Sequence, residues 1–399
     1  MESNIILQWS SIWSTLFCCI GFFSGLALLI SKIQKPLRAP NATKNQLKDV
    51  SCQDGYPNVE PLPDFDWKTT EPIKIRPFKP KYNLTMSIQE ATVNELIEMD
   101  KNYLDRIMLR RKLMEEHPNT VLASEHSVKL AVDEFYTWLL RHYLPVRYPS
   151  MFQLQSSCGN EAEFLKNLVT DEELPLSPSQ DPWDTLKILG GLVDDDFLFL
   201  MPSEDGDGFT LKGLVTCFPN GFNTSKKLNM KLRDIHKPVP SYKEKLEKSM
   251  DRYFQKLQPG KYIKRANWTI TTTNQLFTAS GNHLYEGEDI PQEKIDIEIA
   301  RVRVERQFLH RLPQSGAILF SFKTLLYTLP EIKEEGLGDA LADTIDGLHN
   351  GNAPGFHFYK RAANYGVLSM NAQFAHEVLK QTMFHLTDFS MPSLIHFWL

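Results

Sequence analysis

The stretch Arg301-Val302-Arg303-Val304-Glu305-Arg306-Gln307-Phe308-Leu309-His310-Arg311 alternates charged and apolar residues until Arg306 interrupts the pattern. A period of two is that of a β-strand, so Arg303, Glu305 and Gln307 share one face. That face is either the solvated side of an antiparallel sheet or the polar wall of a pocket on its concave side. Alternation cannot bring both Glu305 and Arg306 to such a wall without a bulge.

Working outward, Tyr262 to Thr272 and Ala317 to Tyr327 are rich in β-branched and aromatic residues and read as strands flanking Ala300 to Arg311. Upstream, Phe197 to Met201 is a short apolar run followed by the turn residues Ser203-Glu204-Asp205-Gly206. A second strand, Phe209 to Phe218, then ends at Pro219-Asn220-Gly221, so the pair reads as a hairpin. Between hairpin and later strands, Ser241 with Glu244 three residues on forms a capping box. Tyr242, Leu246, Met250, Tyr253 and Leu257 follow at helical spacing until Pro259-Gly260 stops them.

Two further helices are predicted earlier. One carries Val93, Leu96, Ile97, Leu104, Ile107 and Met108 on one face and stops at Pro118, and the other runs from Val128 to Leu144 and is closed by Pro145. The order of elements predicts an α+β fold: one five-stranded antiparallel sheet with helices on one face, preceded by a helical N-terminal extension.

The flanks differ in character. From Ile5 to Ile30 there are 26 consecutive residues without a formal charge, more than the ~20 a helix needs to cross the hydrocarbon core. Residues 1–35 therefore read as a single-pass membrane anchor. Lys32, Lys35 and Arg38 follow it while only Glu2 precedes it, which places the remainder on the cytosolic side, with the endoplasmic reticulum the expected membrane. Sequons at Asn41, Asn83, Asn223 and Asn267 pull towards the lumen. Residues 36–80 hold Pro36, Pro40, Pro57, Pro61, Pro63, Pro72, Pro77 and Pro80 and read as an extended stem. The globular domain is then 81–350, with a polar surface insertion between Cys158 and Pro182, and 351–399 form a C-terminal extension.

Composition narrows the function. At 42% hydrophobic and 23% charged residues the chain is a packed globular protein, and a formal net charge of -5 excludes nucleic acid as a partner. The five cysteines form no CxxC pair, so a zinc ribbon, an iron–sulfur cluster and a thiol redox couple are unsupported. No G-x-G-x-x-G or HExxH occurs. His236, in the proline-stiffened run Ile235-His236-Lys237-Pro238-Val239-Pro240, is either a rigidly held ligand or general base or a turn residue. Asp194-Asp195-Asp196 reads as a solvated turn, or as the cation-binding motif of a lumenal sugar transferase.

Several blocks, kept in order, carry a resemblance: Pro77-Phe78-Lys79-Pro80, Met201 to Gly206, Cys217-Phe218-Pro219-Asn220-Gly221, Ile235 to Pro240, Asn267-Trp268-Thr269, and Arg303 to Gln307 with Arg311-Leu312-Pro313. Over roughly residues 75–350 the chain resembles the haem-dependent oxidative N-demethylase family. The resemblance implies a PAS-like fold that binds haem b and oxidises an amine-containing small molecule with dioxygen. It also implies electrons from NADPH through a separate flavin and iron–sulfur reductase. Carried onto these residues, it makes His236 the axial ligand of the haem iron, and Arg303, Glu305, Arg306, Gln307, Asn267 and Arg265 the polar pocket. Glu305 would there hold a protonated amine. Cys217 is the competing thiolate. A haem sensor without turnover is the rival from another class, since fold alone does not fix function.

Overall fold

The computed structural model describes residues 55–156, 162–289 and 295–362. Its main element is a seven-stranded antiparallel sheet in the order β1-β8-β9-β10-β6-β7-β2, built from β1 (Gln89–Ala91), β2 (Leu122–Ser124), β6 (Asp196–Pro202), β7 (Phe209–Val215), β8 (Tyr262–Thr271), β9 (Arg301–Arg311) and β10 (Ile318–Thr328). The five expected strands form its contiguous centre. The sheet has seven strands rather than five because β1 and β2 add one edge each, and three residues are too few to leave an alternation signal in the sequence. Strands β9 and β10 pair without a break from Arg301↔Thr328 to Arg311↔Ile318. The turn that joins them is closed by the Leu312 amide donating to the Ala317 carbonyl at 2.8 Å.

Helices cover both faces of this sheet, not one. Adjacent strand residues point to opposite sides. Phe199, Phe308 and Leu319 pack with the helices Tyr103–Glu116, Lys129–Trp138 and Pro182–Gly190, whereas their neighbours Leu200, Leu309 and Ile318 pack with Leu246, Met250 and Phe254 from the helices Tyr242–Lys245 and Glu247–Lys256. These last two were expected as one capped helix. Ser241 instead takes φ +57 and makes no side-chain cap, and the helix breaks at Leu246, where φ is -119. The expected helix from Val128 to Leu144 passes through a wider turn, Leu139–Tyr143, into Leu144–Arg147. That widening accommodates Pro145, which has no amide to donate.

The region between Cys158 and Pro182 is more than a polar loop. Its strands β4 (Phe164–Asn167) and β5 (Glu172–Pro175) join β3 (Phe152–Gln155) in a small antiparallel sheet that buries Leu165 and Asn167. Residues 55–80, read as a stem, carry no helix or strand but lie against the globule: Tyr56 stacks on Trp138 at 4.2 Å and Arg76 pairs with Glu335 at 2.7 Å. Among the described residues no helix is long and apolar enough to cross a membrane, and the expected anchor and residues 36–54 lie outside them.

Asp194-Asp195-Asp196 is not a solvated turn but lies within the protein. The Asp196 carboxylate accepts from Arg110 at 2.7 Å and from the amides of Cys217 and Phe218 at 2.8 and 2.9 Å. Arg110 also donates to the carbonyls of Gly190 and Asp195. Lys323 reaches Asp100 at 2.7 Å and Asp194 at 3.4 Å. Burial lifts the Asp195 carboxyl to about 8, so it keeps its proton at neutral pH. Among the described residues no cluster of three or more His, Cys, Asp or Glu side chains is arranged to hold a metal ion. Cys217 is buried beside Arg110, and burial pushes its thiol up to about 12, which disfavours the thiolate.

Removing one partner of a buried ion pair strands the other. Arg110→Met is expected to lower unfolding stability by about 3–5 kcal/mol, and Arg110→Met with Asp196→Asn to recover part of that loss, in urea titrations. His310 is wholly buried against Tyr262, and both its ring nitrogens lack a partner. Burial pulls it down to about 3. The unfolded chain therefore binds a proton that the folded one refuses, so stability falls as pH drops below the unfolded value. His310→Phe is expected to make that acid limb shallower by about 1.4 kcal/mol per pH unit between about pH 6 and about pH 3.

Candidate functional site

The face of the sheet that carries Ile263, Arg265 and Asn267 of β8, Glu305, Gln307 and Leu309 of β9, and Phe320 and Phe322 of β10 floors a cavity with about 1640 Å³ of empty space, its mouth included. The helix Leu232–His236 and the helices Tyr242–Lys245 and Glu247–Lys256 roof it, and residues 82–88 and 356–360 close its sides. The walls are chiefly aliphatic and aromatic. Register sets the floor: Arg265 pairs with Gln307 and Asn267 with Glu305, so four polar side chains stand together on an otherwise apolar surface.

His236 ends a one-turn helix, and its Nδ1 lies 2.8 Å from the carbonyl oxygen of Leu232, one turn back. A carbonyl only accepts, so Nδ1 carries the proton and Nε2 is left with its lone pair. Nε2 has no hydrogen-bond partner among the described residues. The ring stacks on Tyr242 at 5.2 Å, and burial lowers its pKa to about 4. His236 is therefore a neutral, oriented imidazole on the cavity wall, the form in which histidine ligates a metal.

The cavity is rich in cations. Arg265 makes no hydrogen bond among the described residues and burial pulls its guanidinium down. Lys227 sits 3.7 Å over the ring of Phe222 and is pulled down to about 8 by burial. Lys360 donates to Asn267 Oδ1 at 3.2 Å and to the Trp268 carbonyl. Against these stands Glu305, the one carboxylate among the described lining residues. Its Oε2 accepts from Gln307 at 2.8 Å and from Asn267 at 3.4 Å. A second histidine, His283, also lines the cavity, with Nδ1 unpartnered and its pKa lowered by burial to about 3.

Five of the seven residues singled out in the sequence thus surround one cavity, and two do not. Arg303 shares the face of Glu305, but its guanidinium is spent on the carbonyls of Phe218 at 2.7 Å, Pro219 at 3.1 Å and Leu276 at 3.0 Å. Arg306 points through the opposite face, where it donates to the carbonyls of Glu95 and Leu96 and pairs with Glu98 at 3.5 Å. The ladder between β8 and β9 has no bulge, so alternation separates Arg306 from Glu305.

Three functional side chains escaped the sequence. Lys227 ends a single helical turn, Thr224–Lys227, too short to leave a periodic signal, His283 lies in a loop, and Lys360 lies beyond the expected domain boundary at residue 350. The block Cys217-Phe218-Pro219-Asn220-Gly221 did hold a signal for one of them. Asn220 Oδ1 accepts from Asn282 at 2.9 Å, and Gly221 has φ +81 with Asn282 so close that a Cβ would lie 2.7 Å from it. Only glycine suits that place, and the close approach presents the neighbouring His283 to the cavity.

The cavity combines largely apolar walls, a neutral histidine with one open ring nitrogen and two cations without hydrogen-bond partners, a donor set suited to an apolar ligand that carries carboxylates and a vacant metal position. The chain matches the family described as haem-dependent oxidative N-demethylase, alpha subunit-like, over residues 87–368, more than half its length, and so it belongs to that family.

Proposed function

We propose that this chain is a haem-dependent oxidative demethylase in which one cavity takes both haem b and an amine-containing small molecule. The observation that carries the reading is His236, a neutral imidazole with Nδ1 tied to a carbonyl and Nε2 open, set in a large apolar cavity beside unpartnered cations. His236 would hold the haem iron through its open Nε2, and Arg265 and Lys227 would neutralise the carboxylates of the haem. Bound haem would supply the redox centre at which dioxygen and reducing equivalents oxidise the methyl carbon next to nitrogen.

The protein's own groups then bind and orient. Oε2 of Glu305 is occupied by two amide donors, while Oε1 has no partner among the described residues and accepts an N–H of a protonated amine. The aliphatic and aromatic walls exclude water around that pair, which strengthens it. Arg303 ties the Phe218–Pro219 and Leu276 backbone beside the cavity and acts as a positioning residue. Electrons are assigned to a partner reductase with flavin and iron–sulfur centres drawing on NADPH. The uncharged run Ile5–Ile30 with Lys32, Lys35 and Arg38 after it supports a membrane tether, with this domain on the cytosolic face of the endoplasmic reticulum.

The full chain reconstituted with haem is expected to show a Soret band that His236→Ala abolishes or shifts, and a folded wild type that stays colourless would overturn the reading. Glu305→Gln is expected to keep the band and lose about 10–100-fold in kcat/KM for amine oxidation, the value of a hydrogen bond to a charged group. Haem and amine bound without any product would make the chain a sensor instead.

A further inference from the structure

Lys360 is 2% exposed, yet it lines the cavity and makes no ion pair of its own. Its Nζ donates to Asn267 Oδ1 at 3.2 Å and to the Trp268 carbonyl, and it lies 4.9 Å from the centroid of the Trp268 ring. Both oxygens only accept, so the side-chain amide of Asn267 has one orientation: Oδ1 towards Lys360, Nδ2 towards Glu305 Oε2 at 3.4 Å. The result is a series across three elements, from Lys360 on the C-terminal segment to Asn267 on β8 to Glu305 on β9, with Gln307 donating to the same carboxylate oxygen at 2.8 Å.

We propose that Lys360 is the positioning and charge-setting residue of the amine site: through Asn267 it fixes a donor on Glu305, and its own protonation state decides whether the cavity admits a cationic amine. This rests on the reading of Glu305 as the amine-holding carboxylate. The groups around Lys360 give it the range to do so. Glu305 on β9 favours its charge, whereas Arg265 on β8 opposes it, and the Lys360 amine in turn weighs against protonation of His283. The hydroxyl-bearing rings of Tyr82 and Tyr359 and the amine of Lys227 also line the cavity. Burial dominates and brings the amine down to about 7. Below that value an ammonium near Glu305 repels an incoming cation, and above it the neutral amine still donates to Asn267 while the repulsion is gone.

The test is calorimetric titration of the full chain with trimethylamine, which stays protonated over the range used, with an absorption spectrum recorded on each sample. Wild-type affinity is expected to rise about 10-fold between about pH 6 and about pH 8. Lys360→Met and Lys360→Arg are each expected to lose the step centred at about pH 7, Lys360→Met at tight and Lys360→Arg at weak affinity, and to keep only the later rise at about pH 8 that Lys227 contributes and Lys227→Met removes. Asn267→Asp places a carboxylate beside the amine and is expected to move the midpoint upward. A step at about pH 7 that persists in the Lys227→Met, Lys360→Met double variant, or a Lys227→Met protein without that step, overturns the proposal. Failure to bind amine at any pH alongside a normal Soret band overturns it while the haem reading stands. A step without a Soret band does the reverse.

Discussion

The side-chain period of two along β9 organises the molecule. Over eleven residues without a bulge it sends Arg303, Glu305, Gln307 and Leu309 to one side and Val304, Arg306, Phe308 and His310 to the other. A one-residue slip would exchange the two sets and bury four mismatched surfaces at once. Because β9 has a partner on each side over most of its length, the same division is imposed on β8 and β10. Asn267 is brought to Glu305 in this way, and Lys323 is aligned with Arg306 on the far face.

Both faces contain buried charge, and they treat it differently. On the far face three buried cations are answered. Arg110 has Asp196 and two carbonyls, Lys323 has Asp100 and Asp194, and Arg306 has the carbonyls of Glu95 and Leu96. These contacts pin the N-terminal helices to the sheet, and each cation alone would be costly. On the cavity face Arg265 and Lys227 have no such answer, and His236 and His283 each keep a ring nitrogen free. Unanswered polar groups in a low-dielectric cavity are tolerated when a ligand completes them. The side chains of His310 and Asp195 on the far face also lack hydrogen-bond partners, so what marks the cavity face is that its unanswered groups line one shared space.

Side chains from distant parts of the chain complete the cavity. The segment 82–88 and the segment 356–360 meet at its rim, where Tyr82 and Phe356 pack at 4.7 Å, and the Leu284 amide donates to the Tyr359 carbonyl at 3.0 Å. The site is therefore assembled where two segments far apart in sequence meet over the sheet. Arg303, which anchors four carbonyls behind the floor, shows how a residue can matter to such a site without touching what it binds.

The five central strands, the sharing of one face by Arg303, Glu305 and Gln307, and the conflict between Glu305 and Arg306 were all legible in the sequence, because each depends only on local periodicity. His236 stood out for the prolines that follow it. Other features were not legible. The edge strands are too short for periodicity, the capping box at Ser241 lost to a left-handed backbone, and Asp194-Asp195-Asp196 looks like a turn until Arg110 and Lys323 arrive from elsewhere in the chain. Lys360 and His283 carry no local signal at all. The sequence by itself determined which residues alternate and hence which could share a face. Only the tertiary structure decided which face encloses the cavity and which charges go unpaired there, because pairing depends on groups far apart in sequence and close only after folding.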